Sequence, residues 1–330
     1  NGTIELKNWY FFKDLSNYKL NWEVIANGKV VESGTMDNIV TAPQAKKTIK
    51  IPFKTVFQKD VEYFLNVGAF LKTDEPLLKA GYRVAYEQFQ LQAANVTVPQ
   101  KASEALTFKT QGNVINVSGK NFAITFDQKA GKLTTYNFNN TSLLESGPVV
   151  NFWRAPVDND YGASTQKRYK EWKEAGQSEK VITVIKQLSK SDVQISFTRD
   201  LFGGDAKLIE TYVVDGNGAV KVTNELKALK GKHPDFYKFG NKLVLPEAYK
   251  NITFYGKGPF EAYADRQHAA KVGLYTQTIA EQYFPYIRPQ ETGNKLEVRW
   301  ITLTKEDGSG IKFLSEKPFS VSALNYSEDD

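Results

Sequence analysis

The sequence predicts an all-β protein made of two sandwich modules in succession, interrupted by one short helix. Three observations carry this reading. Short runs in which apolar and polar residues alternate, rich in β-branched and aromatic side chains, recur along most of the chain. Turns bearing Gly, Asn and Asp punctuate them. The length of 330 residues exceeds what one compact core usually holds, so two units are the default.

The first ninety-odd residues supply the first module. Leu20, Trp22 and Val24 alternate with Asn21 and Glu23, the pattern of a half-buried strand. Asn27-Gly28 then separates Val24-Ile25-Ala26 from Val30-Val31, and that dipeptide accepts positive φ at both turn positions, so a tight hairpin is expected. Further strands are read at Thr48–Phe53, Tyr63–Phe70 and Ala85–Leu91. About seven short strands without helical periodicity suggest an immunoglobulin-like sandwich over residues 1–97. From Asn95 to Ala105, with Pro99, Lys101, Ser103 and Glu104, the pattern lapses into a linker.

Residues 105–330 carry longer and more numerous strands. Phe122–Phe126 and Leu133–Phe138 flank a turn, and Val181–Gln187, Val193–Arg199, Ala206–Val214 and Ala219–Leu226 follow, the last pair joined by Asp215-Gly216-Asn217-Gly218. One stretch departs from the rule: Ser164 to Ala175 places Tyr169 and Trp172 three apart and stops at Gly176, which predicts a short helix capped by Ser164. More than about ten strands after the linker suggest a large double-sheet sandwich. A (β/α)8 barrel would need about eight strand–helix units in some 250 residues, and no such alternation is present.

Composition narrows the function classes. The 43 Lys and Arg are dispersed among 37 acidic residues without a basic stripe or a reading motif, which argues against a nucleic-acid partner. No apolar run approaches the ~18 residues of a membrane-spanning helix, so no membrane partner is expected. The absence of Cys excludes disulfides, thiolate metal sites and a cysteine nucleophile. Bacterial periplasm and cytoplasm both remain open as compartments. Aromatic residues at 13% suit pleated surfaces first and the stacking of sugar faces second.

Two long segments are more specific. One is Asn151-Phe152-Trp153-Arg154-Ala155-Pro156-Val157-Asp158-Asn159-Asp160. The other runs from Tyr255-Gly256-Lys257-Gly258-Pro259-Phe260-Glu261-Ala262-Tyr263-Ala264-Asp265-Arg266 on to Tyr283-Phe284-Pro285-Tyr286-Ile287-Arg288-Pro289-Gln290-Glu291-Thr292-Gly293-Asn294. These resemble motifs of the C-terminal domain of large family-two glycoside hydrolase β-galactosidases, with Val157 where that family has Thr. The front, with Ile4-Glu5-Leu6-Lys7-Asn8, Phe11-Phe12 and Leu15-Ser16, is similar to the start of the family's immunoglobulin-like fourth domain. The resemblance covers nearly the whole chain. It implies a galactose-mutarotase-like β-supersandwich for residues 105–330, C-terminally truncated.

It also implies what this stretch does. The family's catalytic glutamates lie in a barrel upstream, as do its ligands for Mg or Na, so no catalytic residue, metal or cofactor is expected in this chain. The Gly-Gly-Asp-Asp-Ser-Trp segment that lends an aromatic to the family's sugar pocket does not occur before Asp330. The expected role is a non-catalytic C-terminal part of a β-galactosidase, bracing the barrel and shaping its carbohydrate site. Implied partners are the rest of the parent chain, a galactoside sugar and further copies of a homo-oligomeric parent. An independent carbohydrate-binding module and a mutarotase-like isomerase are the alternatives.

Candidate residues follow from the motifs. Arg154, Glu261, Asp265, Arg266, Arg288 and Glu291 are charged groups within apolar, Gly- and Pro-rich segments, where they either build an ion-pair network or line a concave site. Asp158, Asn159, Tyr263 and Tyr286 join them as candidate substrate contacts. Asp158-Asn159-Asp160 offers oxygen ligands, but Gly162 and Tyr169 break the calcium-loop pattern, which leaves turn-pinning as the better reading. Asn224-Glu225 falls in an alternating strand, an ordinary solvated position. His268 with Glu261 is the best acid–base pair the two histidines allow.

Overall fold

The computed structural model describes residues 2–94, 104–175, 181–227 and 229–330, and it is all-β with short helices. At the front stand β1 (Thr3–Lys7), β2 (Tyr18–Ala26), β3 (Lys29–Met36), β4 (Lys46–Lys50), β5 (Tyr63–Leu71) and β6 (Arg83–Gln92). They form an antiparallel sheet in the order β3-β2-β5-β6 and a two-stranded sheet β1-β4. The alternation read in β2 turns Leu20, Trp22 and Val24 into a core shared with Ile49, Ile51 and Leu65. At the β2–β3 turn Asn27 and Gly28 take φ of 45° and 85°, the two positive values a type I′ hairpin requires. The strand read over Thr48–Phe53 leaves its ladder at Lys50, because Pro52 has no N–H to donate.

The remainder begins with β7 (Thr107–Gln111), β8 (Val114–Ser118), β9 (Phe122–Asp127), β10 (Lys132–Phe138) and β11 (Thr141–Ser142), one sheet in the order β11-β10-β9-β8-β7. After β12 (Ser146–Asn151) come the helices α1 (Asp158–Ala163), α2 (Thr165–Arg168) and α3 (Lys170–Glu174). A four-stranded meander follows, β13 (Val181–Ser189), β14 (Asp192–Leu201), β15 (Ala206–Asp215) and β16 (Val220–Lys227). Ile115, Val117, Ile124 and Phe126 of the first sheet meet Val193, Ile195, Phe197 and Tyr212 of the meander in one core. Next, β17 (Gly240–Val244) pairs with β12. Last, β18 (Asn251–Gly258), β19 (Lys271–Thr278), β20 (Lys295–Thr304) and β21 (Gly310–Val321) form a sheet in the order β19-β18-β20-β21.

The helical stretch differs from its sequence reading. One helix capped by Ser164 is expected, whereas three short turns are found, and the first begins at Asp158. Ser164 adopts the left-handed conformation, φ 55°, so it ends α1 instead of capping a helix through its side chain. Turns this short gain little from their own hydrogen bonds, and packing decides where they lie. The packing comes from Trp172, fully buried against Phe152, Phe202 and Phe236, whose indole N–H donates to the Pro234 carbonyl at 2.7 Å. The expected stop at Gly176 lies outside the described residues, as do residues 95–103 of the expected linker.

The front sheet packs onto the last sheet. Ile25 and Phe64 form an apolar cluster with Tyr255 and Val272. Edge strand β19 meets Gln88, whose side-chain amide donates to the Val272 carbonyl and accepts the Val272 N–H, both at 2.8 Å. One side chain thus supplies the pair of bonds that a neighbouring strand would. Beneath it lies Glu62, 6% exposed: one carboxylate oxygen accepts from Arg299 Nη2 at 2.7 Å, the other from Arg299 Nε at 3.0 Å and the Tyr255 hydroxyl at 2.6 Å.

Candidate functional site

Three loops meet beside α1: residues 151–160 after β12, 259–266 after β18, and 283–294 before β20. The first is anchored by burial of Phe152 and Trp153. Its next residue, Arg154, donates to Asp160 at 2.7 Å and to the Ala155 carbonyl at 2.9 Å, and its guanidinium lies 4.3 Å from the Tyr237 ring centre. Asp160 also accepts from the Val157 N–H at 2.8 Å and from the Thr165 hydroxyl at 2.9 Å. Burial alone would raise its pKa; donors from Val157, Arg154 and Thr165 outweigh burial and hold the carboxylate below its usual range. Turn-pinning is therefore the work of Asp160. It stands at the third helical position of α1, from where it reaches back to Val157, a helix-capping residue with no side-chain oxygen of its own.

Glu261 organises the other two loops. It accepts from Arg266 and from the Tyr286 hydroxyl with one oxygen, and with the other from the Gly293 N–H at 2.9 Å and the Thr292 hydroxyl at 3.2 Å. Arg266 closes the ring with a 3.0 Å bond to the Tyr286 hydroxyl. Burial pushes Glu261 upward, but the donors Tyr286, Gly293 and Arg266 prevail and hold it ionised below the usual carboxylate pKa. Tyr263, beside it, is raised by burial first and then by the charges of Glu261 and Glu291.

Glu291 joins the two halves. Burial raises its pKa, while the charges of Lys238 and Arg154 and the N–H of Ala155 pull the other way without cancelling that rise. At the solvent edge, Asp158 lies 3.7 Å from Arg288 and accepts from Gln290 at 3.3 Å, and the Arg288 guanidinium sits 3.6 Å from the Tyr161 ring centre. Asn159 and Asp265 are exposed and make no side-chain hydrogen bond among the described residues. The loops thus bring together Arg154, Glu261, Tyr263, Arg266, Tyr286 and Glu291, with Asp158 and Arg288 on the rim.

Three participants escape the motif reading: Tyr237, Thr292 and Lys295. Lys295 opens β20 and is 4% exposed, with Phe254 5.8 Å from its ammonium. Desolvation pushes its pKa down to about 8 against the attraction of Glu261. No signal in an alternating strand marks such a lysine.

The remaining candidates fall elsewhere. Glu225 pairs with Lys227 at 3.0 Å on the exposed face of β16, a solvated strand position. His268 is held through its carbonyl by the Tyr86 hydroxyl at 2.9 Å and makes no bond to Glu261. Among the described residues no group of three or more His, Cys, Asp and Glu could hold a metal, and no helix is long and apolar enough to cross a membrane.

Chemically, two carboxylates of the junction are fully engaged. Glu261 and Asp160 face cations and N–H donors, a state that suits clamping and leaves neither poised as acid or nucleophile. The family model described as the beta galactosidase small chain matches residues 118–330, which takes in all three loops. The chain belongs to the beta-galactosidase small chain family. A second model, beta-galactosidase domain 4, matches residues 4–92, the stretch that carries Glu62 and Gln88. A curated beta-galactosidase of Priestia megaterium is 34% identical over 99% of this chain, one of Lactobacillus delbrueckii subsp. bulgaricus 30% and one of Streptococcus thermophilus 28%, each over 99%. The chain spans 32% of the length of each of these relatives. With the domain 4 match first and the small chain match second, it fits the C-terminal region of a beta-galactosidase.

Proposed function

We propose that this chain acts as the non-catalytic C-terminal part of an enzyme that hydrolyses terminal β-galactosides, bracing the catalytic part and shaping the carbohydrate site. The supporting observation is the contrast within the three loops. Arg154 is locked to Asp160 and Arg266 to Glu261, whereas Phe260, Phe284 and Ile287 on the same loops stand exposed. A rigid polar base that presents apolar side chains suits contact with another part of the protein better than catalysis. In this reading Arg154, Glu261, Tyr263, Arg266 and Glu291 hold the loops, while Asp158, Asn159, Asp265, Tyr286 and Arg288 face the sugar side.

The purified chain should give no turnover of a nitrophenyl β-galactoside. Turnover that disappears in Glu225→Gln or Glu261→Gln would overturn the non-catalytic assignment. A fusion in which this chain replaces the matching third of the Priestia megaterium enzyme should hydrolyse the substrate, and Ile287→Asp in the fusion should lower that activity. A folded but inactive fusion would count against the bracing role.

A further inference from the structure

His233 lies outside the junction, in the loop 229–239 between β16 and β17, yet it bridges α3 and the turn before β15. Its Nδ1 is 3.1 Å from a carboxylate oxygen of Glu171 on α3, and its Nε2 is 3.1 Å from one of Asp205, just before β15. The ring stacks on Phe202, with centres 4.5 Å apart and planes 26° from parallel. A neutral imidazole donates from one nitrogen only, so it satisfies one of these carboxylates and turns a lone pair toward the other. An imidazolium donates to both. The surroundings are therefore built for the charged ring.

We propose that His233 is a proton-operated clamp that fastens α3, and through it the stretch bearing Asp158 and Asp160, to the turn before β15. Three further contacts make the seat worth holding. Lys230 N–H donates to the Asp205 carbonyl at 2.9 Å, Trp172 donates to Pro234 next to the histidine, and Gly231 packs against Asp205 where a Cβ would come within 2.8 Å of its carboxylate. The titratable groups facing the ring are Glu171 from α3 and Asp205 from the turn; Lys230, Lys232 and Asp235 flank it along its own loop.

The hydrogen bond to Asp205, with a smaller one to Glu171, raises the His233 pKa against the opposing effect of desolvation. A raised folded-state pKa fixes the sign. The clamp's contribution is complete below the ordinary histidine value of about 6.5 and is lost as pH rises through the raised value. The helical stretch should hold in mildly acidic medium and loosen in alkali.

The chain has two histidines, so imidazole proton resonances assign themselves once His268→Gln removes one. The remaining His233 signal should titrate above the ordinary value. Amide-exchange protection factors over residues 165–175 and 229–239 should fall across that same titration. In His233→Gln they should be low and independent of pH, and in Glu171→Gln the titration should move down. Protection that keeps its pH dependence in His233→Gln, or that stays level across the titration in the unaltered chain, would overturn the proposal. His233→Phe keeps the stacking on Phe202 and serves if the Gln variant does not fold.

Discussion

Removing the Glu62 carboxylate should be among the most damaging single changes outside the apolar cores. In Glu62→Ala the Arg299 guanidinium, 9% exposed, loses both its 2.7 and 3.0 Å acceptors, and the buried Tyr255 hydroxyl loses its own. Breaking a buried pair by deleting one partner costs about 3–5 kcal/mol, because the other charge is left in the interior. If the 330 residues melt as one body, with an unfolding entropy of about 2.1 cal/mol/K per residue, the melting temperature should drop by about 4–7 °C. Differential scanning calorimetry at pH 7 reads this directly. The double variant Glu62→Leu/Arg299→Met replaces the pair with apolar groups and should recover most of the loss. A shift below about 1 °C in Glu62→Ala, or a double variant as unstable as the single one, would refute the reasoning from desolvation.

Three further outcomes are expected. Glu261→Gln should cost about 1–2 kcal/mol at pH 7, the Arg266 end being solvent-screened; since its folded pKa is depressed, that difference from the unaltered chain should vanish as urea midpoints are followed into acid through that value. Lys295→Met should stabilise the chain by about 1–3 kcal/mol at pH 7, as read by urea denaturation. Because Lys295 titrates at about 8 when folded, the unaltered chain should close that gap as pH climbs from 8 toward the unfolded value near 10.4. Val157→Thr should add about 1 kcal/mol by giving α1 a side-chain cap, visible as a higher thermal midpoint.

Much of the architecture was legible in local pattern. Period-two alternation located β2, β9, β14 and β15, and the Asn27-Gly28 dipeptide forecast a turn whose φ values only such residues adopt at low cost. The helical stretch was misjudged because periodicity reports which side of a segment is buried and says little about where a weak turn starts. Trp172 falls inside the expected helix, but its anchoring role was not read from the sequence, and the start at Asp158 depends on Asp160 reaching back to Val157. The motif residues converged because three loops converge, a fact that repeated Gly and Pro hint at without stating. Glu62 and Arg299, 237 positions apart, were invisible, since nothing local to either marks a partner in another sheet.

Gln88 bears on how this chain could be divided. A sequence boundary near residue 100 invites cutting there and handling the two matched stretches as separate reagents. Such a cut would strip from β19 the amide that completes its outer rim, leaving Val272 with a free N–H and carbonyl on a strand open to any passing chain. The same cut would bare Tyr255 and take Glu62 from Arg299, leaving Glu297 as its partner. The smallest transferable part therefore runs across the boundary, and a shortened back half would be expected to stick to itself before it misfolds.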